Sequence, residues 1–397
     1  MFRILSLLFV ILLFLPIAQA KDWTVYRGKL EGAGIVVMEL SPTSEAGQYE
    51  GRYFYPRYGI DIFLSGTLDE FREENPPLND PNVELESGYS TGYWKGRIEG
   101  DHYRGHWSRT GRDTEKKLKF DLVRVSTYSV PNAGLRFEQM PENFLNHAHI
   151  DSTKTPYTYL KLNGYAVPVG PAIGDETLAY QMWADPRSVF EYPRLVRHPN
   201  PEIMKRVNAL LEQRHWQLTT TALKCRRLSA GKDAGGYEHE HVEVAYLSPL
   251  LMSVVESGRT QGVHGFDCNT ELMRDSHFYP YTLDLRRGAF LNWRHLINLS
   301  TFTITFDAGG HDVLHPELFD LLYRKLEASG LKAYSCRALF DVDSFGLHVV
   351  KQDRLAISAS GFSEYNEGCL GIQFEVPLSE LAPLLKPAAH PYFFTEH

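Results

Sequence analysis

The chain has 397 residues, 43% hydrophobic and 13% aromatic, with a formal charge of −8 spread without long runs of one sign. Such a chain can bury sizeable cores in two or three domains, which excludes a disordered protein. The acidic balance gives no reason to expect nucleic acid as a partner.

Residues 1–20 have the layout of a secretory signal peptide. Met1-Phe2-Arg3 is a short positive start, Ile4 to Leu15 is apolar apart from Ser6, and Pro16 interrupts the run. Ala18-Gln19-Ala20 is a small-x-small cleavage site before Lys21. The apolar run falls well short of the ~20 residues of a membrane-spanning helix, although an uncleaved anchor is the alternative. The expectation is a periplasmic or secreted protein with no transmembrane span after cleavage.

Residues 21–128 are predicted to be β-rich. Trp23–Tyr26, Ile35–Leu40, Ile60–Leu64 and Leu118–Val123 are short aromatic and β-branched runs, the last alternating with period two. Gly51, Gly96 and Gly105 recur between large aromatics, where bare backbone lets a neighbouring ring lie close. This predicts a small antiparallel β-meander or barrel, with its Tyr and Trp rings either core or a sugar-stacking surface. Glu70–Pro81 reads as a polar, Pro-rich surface loop. Residues 129–154 read as a connector, with Phe137, Met140 and Phe144 too apolar for a free linker.

Residues 155–397 mix helix and strand. Asn200-Pro201-Glu202 opens a helix whose Ile203, Met204, Val207, Leu210 and Leu211 share one face. His315-Pro316-Glu317 opens a second, stopped at Gly330. Strands are predicted at 240–247, 250–256, 279–285, 331–336, 355–359 and 370–376. The fold class is therefore α+β, with two main helices on a largely antiparallel sheet in this second domain.

Cys225, Cys268, Cys336 and Cys369 all lie in the second half. An even count in an exported chain predicts two disulfides, with Cys225–Cys268 and Cys336–Cys369 favoured among three possible pairings. None forms the C-x-x-C pair that a structural zinc site would use.

Several short motifs follow one another in this half. They are Phe190-Glu-Tyr192-Pro193-Arg-Leu195, Val207-Asn208, Tyr246-Leu247-Ser248 with Ser253, and Gly262-Val-His264. Tyr281-Thr-Leu-Asp284-Leu-Arg-Arg-Gly288 and Phe374-Glu-Val-Pro377-Leu-Ser379-Glu-Leu381 complete the set. The ordered set resembles the extracytoplasmic domain of unknown function shared by lysozyme-sensing anti-sigma factors of the RsiV type and PdaC-type peptidoglycan deacetylases. The resemblance spans roughly residues 155–386. It implies an envelope protein whose partner is a lysozyme-like protein or a peptidoglycan fragment.

Catalytic motifs are incomplete. Thr305-Phe306-Asp307-Ala308-Gly309 echoes the start of polysaccharide deacetylases, and His311 and His315 are spaced like two zinc ligands on a helix. However, Ala308 replaces the second aspartate and His315 precedes a proline. Glu238-His239-Glu240-His241 would place both histidines on one face of a strand, where His264 and His277 could join them around a metal. Polar alternation on a half-buried strand explains the same letters. Arg187 to Arg227 holds nine Lys/Arg against Glu191, Glu202 and Glu212, either a solvated helix face or a docking surface for an acidic partner. No Gly-x-Ser-x-Gly elbow or Walker loop occurs.

The expected function is a non-enzymatic binding or accessory module of the bacterial envelope, without a cofactor. A metal-assisted hydrolase or deacetylase acting on cell-wall polysaccharide is the alternative, and a subunit of a larger envelope assembly is a third reading.

Overall fold

A computed structural model describes residues 21–74, 90–112, 116–130, 149–188, 190–228, 241–261, 274–305, 309–330, 336, 339–340, 345–362 and 369–394. The chain divides into two compact units, Met1–Asn163 and Gly164–His397. Antiparallel strand dominates both, and no helix among the described residues is long and apolar enough to cross a membrane.

The first unit is a closed barrel of eight antiparallel strands in sequence order: β1 (Lys21–Leu30), β2 (Gly34–Pro42), β3 (Tyr49–Phe54), β4 (Ile62–Gly66), β5 (Glu70–Glu74), β6 (Ser90–Glu99), β7 (His102–Ser108) and β8 (Leu118–Val130). Pairing of β1 with β8 closes it, so no edge is left open to another chain. Period-two alternation turns Tyr26, Met38, Leu40, Tyr53, Phe71, Trp94, Tyr103 and Phe120 into the lumen. Trp94 packs against Tyr53 at 5.0 Å and Phe120 at 4.9 Å between ring centroids. These rings are core, so they do not form a stacking surface.

Gly96 and Gly105 face one another across β6 and β7. A Cβ on Gly96 would meet the Phe120 ring at 2.7 Å, and one on Gly105 would meet the Lys95 carbonyl at 2.0 Å. Because that second obstacle is backbone, the Gly105→Ala variant is expected to lose about 2–3 kcal/mol in urea unfolding. A loss below 0.5 kcal/mol would show that the strands part easily there.

Glu70–Pro81 was expected to be a surface loop, but Glu70–Glu74 is strand β5. Its Glu-Phe-Arg-Glu-Glu composition is polar, yet Phe71 and Glu73 alternate inward while Glu70, Arg72 and Glu74 face solvent. Residues 75–81 lie outside the described residues, as does most of the connector, including Phe137, Met140 and Phe144.

Helix α1 (Pro156–Leu162) belongs to the first unit and lies on the barrel's outer wall. Tyr157 packs edge-on to Phe54 at 5.0 Å over Val25 and Val37. Beside this contact lies a charge network. Arg52 Nε donates to Glu39 Oε1 at 2.6 Å, while Tyr157 OH and Lys161 Nζ donate to Asp61 Oδ1 at 2.7 and 2.5 Å. Lys161 and Arg52 hold the Asp61 carboxyl below its ordinary pKa despite burial. The helix is thus held by apolar contact and by charges that are neutralised locally.

The second unit has several small sheets rather than the single sheet expected. β9 (Val167–Gly174), β10 (Ala179–Ala184) and β11 (Glu191–Arg197) form the first, in the order β11-β10-β9. β12 (His241–Leu247), β13 (Leu251–Gln261), β14 (Arg274–Asp284) and β15 (Ala289–Phe290) form the second, with β20 (Gly361–Phe362) also paired to β14. β16 (Ser300–Thr305) and β17 (Gly309–Leu314) make a hairpin, and β18 (Phe345–Lys351), β19 (Arg354–Ala359) and β21 (Gly371–Pro377) a third sheet.

Two long helices begin where predicted. α2 (Pro201–Leu228) is capped by Asn200, whose Oδ1 accepts the Glu202 and Ile203 N–H groups, but it runs 28 residues, far beyond Leu211. α3 (Pro316–Ser329) ends at Gly330 with φ 76° and buries Leu318, Leu321, Leu322 and Leu326. The 331–336 strand is not formed at its last residue, which lies in a 3-10 turn, while 331–335 lie outside the described residues. Cys336 and Cys369 are joined within this core, with Cα atoms 5.3 Å apart. Closing that 33-residue separation contributes roughly 3–4 kcal/mol in the chain-entropy account.

Candidate functional site

The barrel lumen holds a carboxylate that has no cation beside it among the described residues. Glu73 is 3% exposed. Its Oε1 accepts Tyr53 OH at 2.6 Å, Trp107 Nε1 at 2.7 Å and Trp94 Nε1 at 3.0 Å, and its Oε2 accepts Thr91 Oγ1 at 2.8 Å. Burial, followed by the Glu73 charge, pushes the Tyr53 phenol far above its ordinary range, so it stays a donor. Gly92 makes room: a Cβ there would stand 2.4 Å from Trp107 Nε1 and 2.7 Å from Glu73 Oε2. Four neutral donors spread the charge of one buried anion.

A second buried polar centre lies in the second unit, among α2, β11, β13 and β14. The Arg214 guanidinium grips Glu256, with Nε at 2.9 Å from Oε1 and Nη2 at 2.6 Å from Oε2. Tyr192 OH bridges Glu256 and Tyr281 OH at 2.5 Å each. The Tyr192 ring stacks on His215 at 5.7 Å, and Arg194 Nη2 donates to His215 Nδ1 at 3.3 Å. Burial raises both phenols above their usual range, with the Glu256 charge adding to it. Burial, then the Arg194 charge, pulls His215 down to about 3. Burial also draws Arg194 down to about 10.

This centre holds its protons fixed: neutral imidazole and phenols, one bidentate ion pair, and a carboxylate 2% exposed. It ties a strand, a helix and a second sheet together rather than presenting a base to a substrate. The basic stretch from Arg187 is accordingly not all solvated. Arg187 is buried on Asp185 at 2.6 Å, and Arg194 and Arg214 are buried as described.

The predicted histidine cluster is described only in part. His239 and His264 lie outside the described residues, as do Cys268 and the side chains of Cys225 and His277. His241 is exposed on β12, with Nε2 3.5 Å from Glu243 Oε2. It pairs with Ser257, which pairs in turn with Phe278, while His277 falls one position out of that row on β14. His311 belongs to strand β17 and His315 caps α3, so the two do not share a helix as zinc ligands would. Among the described residues no group of three or more His, Cys, Asp or Glu is placed to hold a metal.

Glu73 and Glu256 escaped the sequence reading, and Arg214 was read only as one of the basic residues of the Arg187–Arg227 stretch. Tyr192 and Arg194 lay inside a quoted motif but carried no assigned role. Comparison with protein families, curated proteins and solved structures finds no match.

Proposed function

We propose that the chain is an exported protein of the bacterial envelope that works by binding, as an accessory module for a protein or a cell-wall glycan. We further propose that its second unit is an α+β domain of the RsiV and PdaC type. One observation supports binding over acid–base catalysis. The five buried carboxylates among the described residues, Glu39, Glu73, Asp185, Glu256 and Asp284, are each occupied by protein donors. A carboxylate bonded in this way is a structural anchor, whereas a general base needs a free lone pair within reach of substrate. The signal-like N-terminus and the motif order supply the envelope setting.

Calorimetric titration of the mature chain with lysozyme and with muropeptides tests this reading. Saturable binding to one of them is expected, and folded protein that binds neither would overturn it. Metal analysis separates the rival hydrolase: stoichiometric zinc lost in the His239→Ala/His241→Ala variant would favour the enzyme. N-terminal sequencing of exported material is expected to begin at Lys21, and a retained Met1 would remove the cleavage step.

A further inference from the structure

A lysine is almost never buried unless something holds its amine, and α1 buries one. The Lys161 side chain is 4% exposed, with Nζ 2.5 Å from Asp61 Oδ1. The other lysine–carboxylate pairs among the described residues are Lys21–Glu50, Lys95–Glu70, Lys325–Glu380 and Lys351–Glu375. They leave 28%, 45%, 30% and 65% of the lysine side chain in water. Only at Lys161 do two rings enclose the amine as well: Phe54 and Tyr157, each with its centroid 5.1 Å from Nζ. Burial lowers the Lys161 pKa, which favours the uncharged, nucleophilic amine.

The carboxyl opposite is equally well furnished. Tyr157 OH donates to Asp61 Oδ1 at 2.7 Å, and Arg52 Nη1 stands 3.5 Å from Oδ2. Burial, then the Asp61 charge, raises the Tyr157 phenol well above its ordinary range, so it stays a donor. Glu39 fixes the Arg52 guanidinium through Nε at 2.6 Å. An amine, a carboxyl and two donors that face the carboxyl oxygens are thus assembled at one place on the barrel wall.

We propose that Lys161 and Asp61 condense into an amide, a covalent bridge from α1 to the loop between β3 and β4. The ion pair described above is the state before reaction. The proton shared between Nζ and Oδ1 passes to Oδ1, and the freed lone pair on Nζ attacks Cγ. Negative charge then gathers on Oδ2, which faces the Arg52 guanidinium. A second Nζ proton moves to Oδ1, the Cγ–Oδ1 bond breaks, and one water leaves while Tyr157 OH donates to the departing oxygen. Two protons leave the ammonium and one water carries both away, so no oxidant or further reactant is needed. In water the hydration of the two ions opposes this condensation. Burial has already removed most of that hydration, and fixed positions supply effective molarities of ~10⁵–10⁸ M. The bridge joins residues 100 positions apart, so α1 could leave the barrel wall only by breaking a peptide-strength bond. It does not depend on what the protein binds.

The test is the intact mass of the mature chain, measured after unfolding and reduction of its disulfides. A mass lighter than the sequence by one water is expected. Trypsin cannot cleave after an acylated Lys161, so residues 58–72 should emerge joined to residues 155–187 in one branched peptide. Lys161→Arg, which keeps the charge but not the reactive amine, and Asp61→Ala are each expected to show the full mass and two separate peptides. Full sequence mass in the folded parent, a lost water located at other residues, or a loss that persists in Lys161→Arg would each overturn the proposal. Should either variant not fold, the parent's mass and its branched peptide decide the matter alone.

Discussion

Replacing Glu73 with alanine is expected to cost the barrel about 4 kcal/mol or more, because it strands the donors that face the carboxylate. Each unsatisfied buried donor costs roughly 1–3 kcal/mol, and Tyr53 OH, Trp94 Nε1 and Trp107 Nε1 would all lose the same acceptor. Against a typical total stability of ~5–15 kcal/mol, that is enough to leave the domain partly unfolded. Glu73→Gln keeps the volume and one acceptor oxygen but turns an amide NH2 toward other donors, so an intermediate loss of about 2 kcal/mol is expected. The measurement is urea unfolding followed by tryptophan fluorescence, since two of the donors are indoles. Indole N–H resonances of Trp94 and Trp107 should move upfield in both variants as their charged acceptor is lost. If Glu73→Ala unfolds within 1 kcal/mol of the parent, the four-donor cage is not what holds the lumen together.

The same residue shows why part of the fold was legible and part was not. Strands such as Ile35–Leu40 and Leu118–Val123 declared themselves, because apolar letters alternate or run together where the lumen needs them. Strand β5 did not, since one of its two inward positions is a glutamate whose partners come from three other strands. Val167–Gly174 was also unreadable as strand. Pro168 and Pro171 break the pattern, and they are tolerated because β9 lies at the edge of its sheet. The helix opening at Asn200 was clear from its cap, but its length was hidden by Thr219-Thr220-Thr221. There the β-branched side chains stay helical by bonding back, Thr220 to the Trp216 carbonyl at 2.8 Å and Thr221 to that of Gln217 at 3.1 Å. The buried centre was least legible of all. Arg214 and Glu256 are 42 positions apart, and no local spacing rule connects a helix to a strand in another sheet.

Mild acid is expected to unfold the second unit between pH 6.5 and 4.5, and two buried histidines account for it. His348 and His215 are both 0% exposed. Burial alone lowers His348 to about 4 from an ordinary 6.5, and burial with the Arg194 charge lowers His215 to about 3. A folded-state pKa below the unfolded value means that the unfolded chain takes up protons first as pH falls. The stability is therefore complete above pH 6.5 and is lost as pH drops toward 4 and 3, by about 1.4 kcal/mol per unit per histidine. Near pH 4.5 the pair costs roughly 5 kcal/mol together, an order-of-magnitude sum. The lowered Asp61 carboxyl of the first unit acts in a lower window, below its ordinary 3.8. The two histidines differ in what replaces them. Among the described residues neither nitrogen of His348 has a hydrogen-bond partner, so His348→Leu removes two buried polar atoms and is expected to stabilise by about 1–2 kcal/mol at pH 7. It should also halve the loss between pH 6.5 and 4.5. His215 accepts from Arg194 Nη2, whose Nη1 donates to the Pro193 carbonyl, so His215→Leu takes one acceptor from a buried guanidinium and is expected to destabilise at neutral pH, although it too flattens the acid limb. Melting temperatures of the parent and both variants from pH 7.5 to 4.5 decide the matter. A His348→Leu protein that melts lower than the parent at pH 7, or that keeps the parent's acid slope, would show that burial of this ring does not set the acid limit.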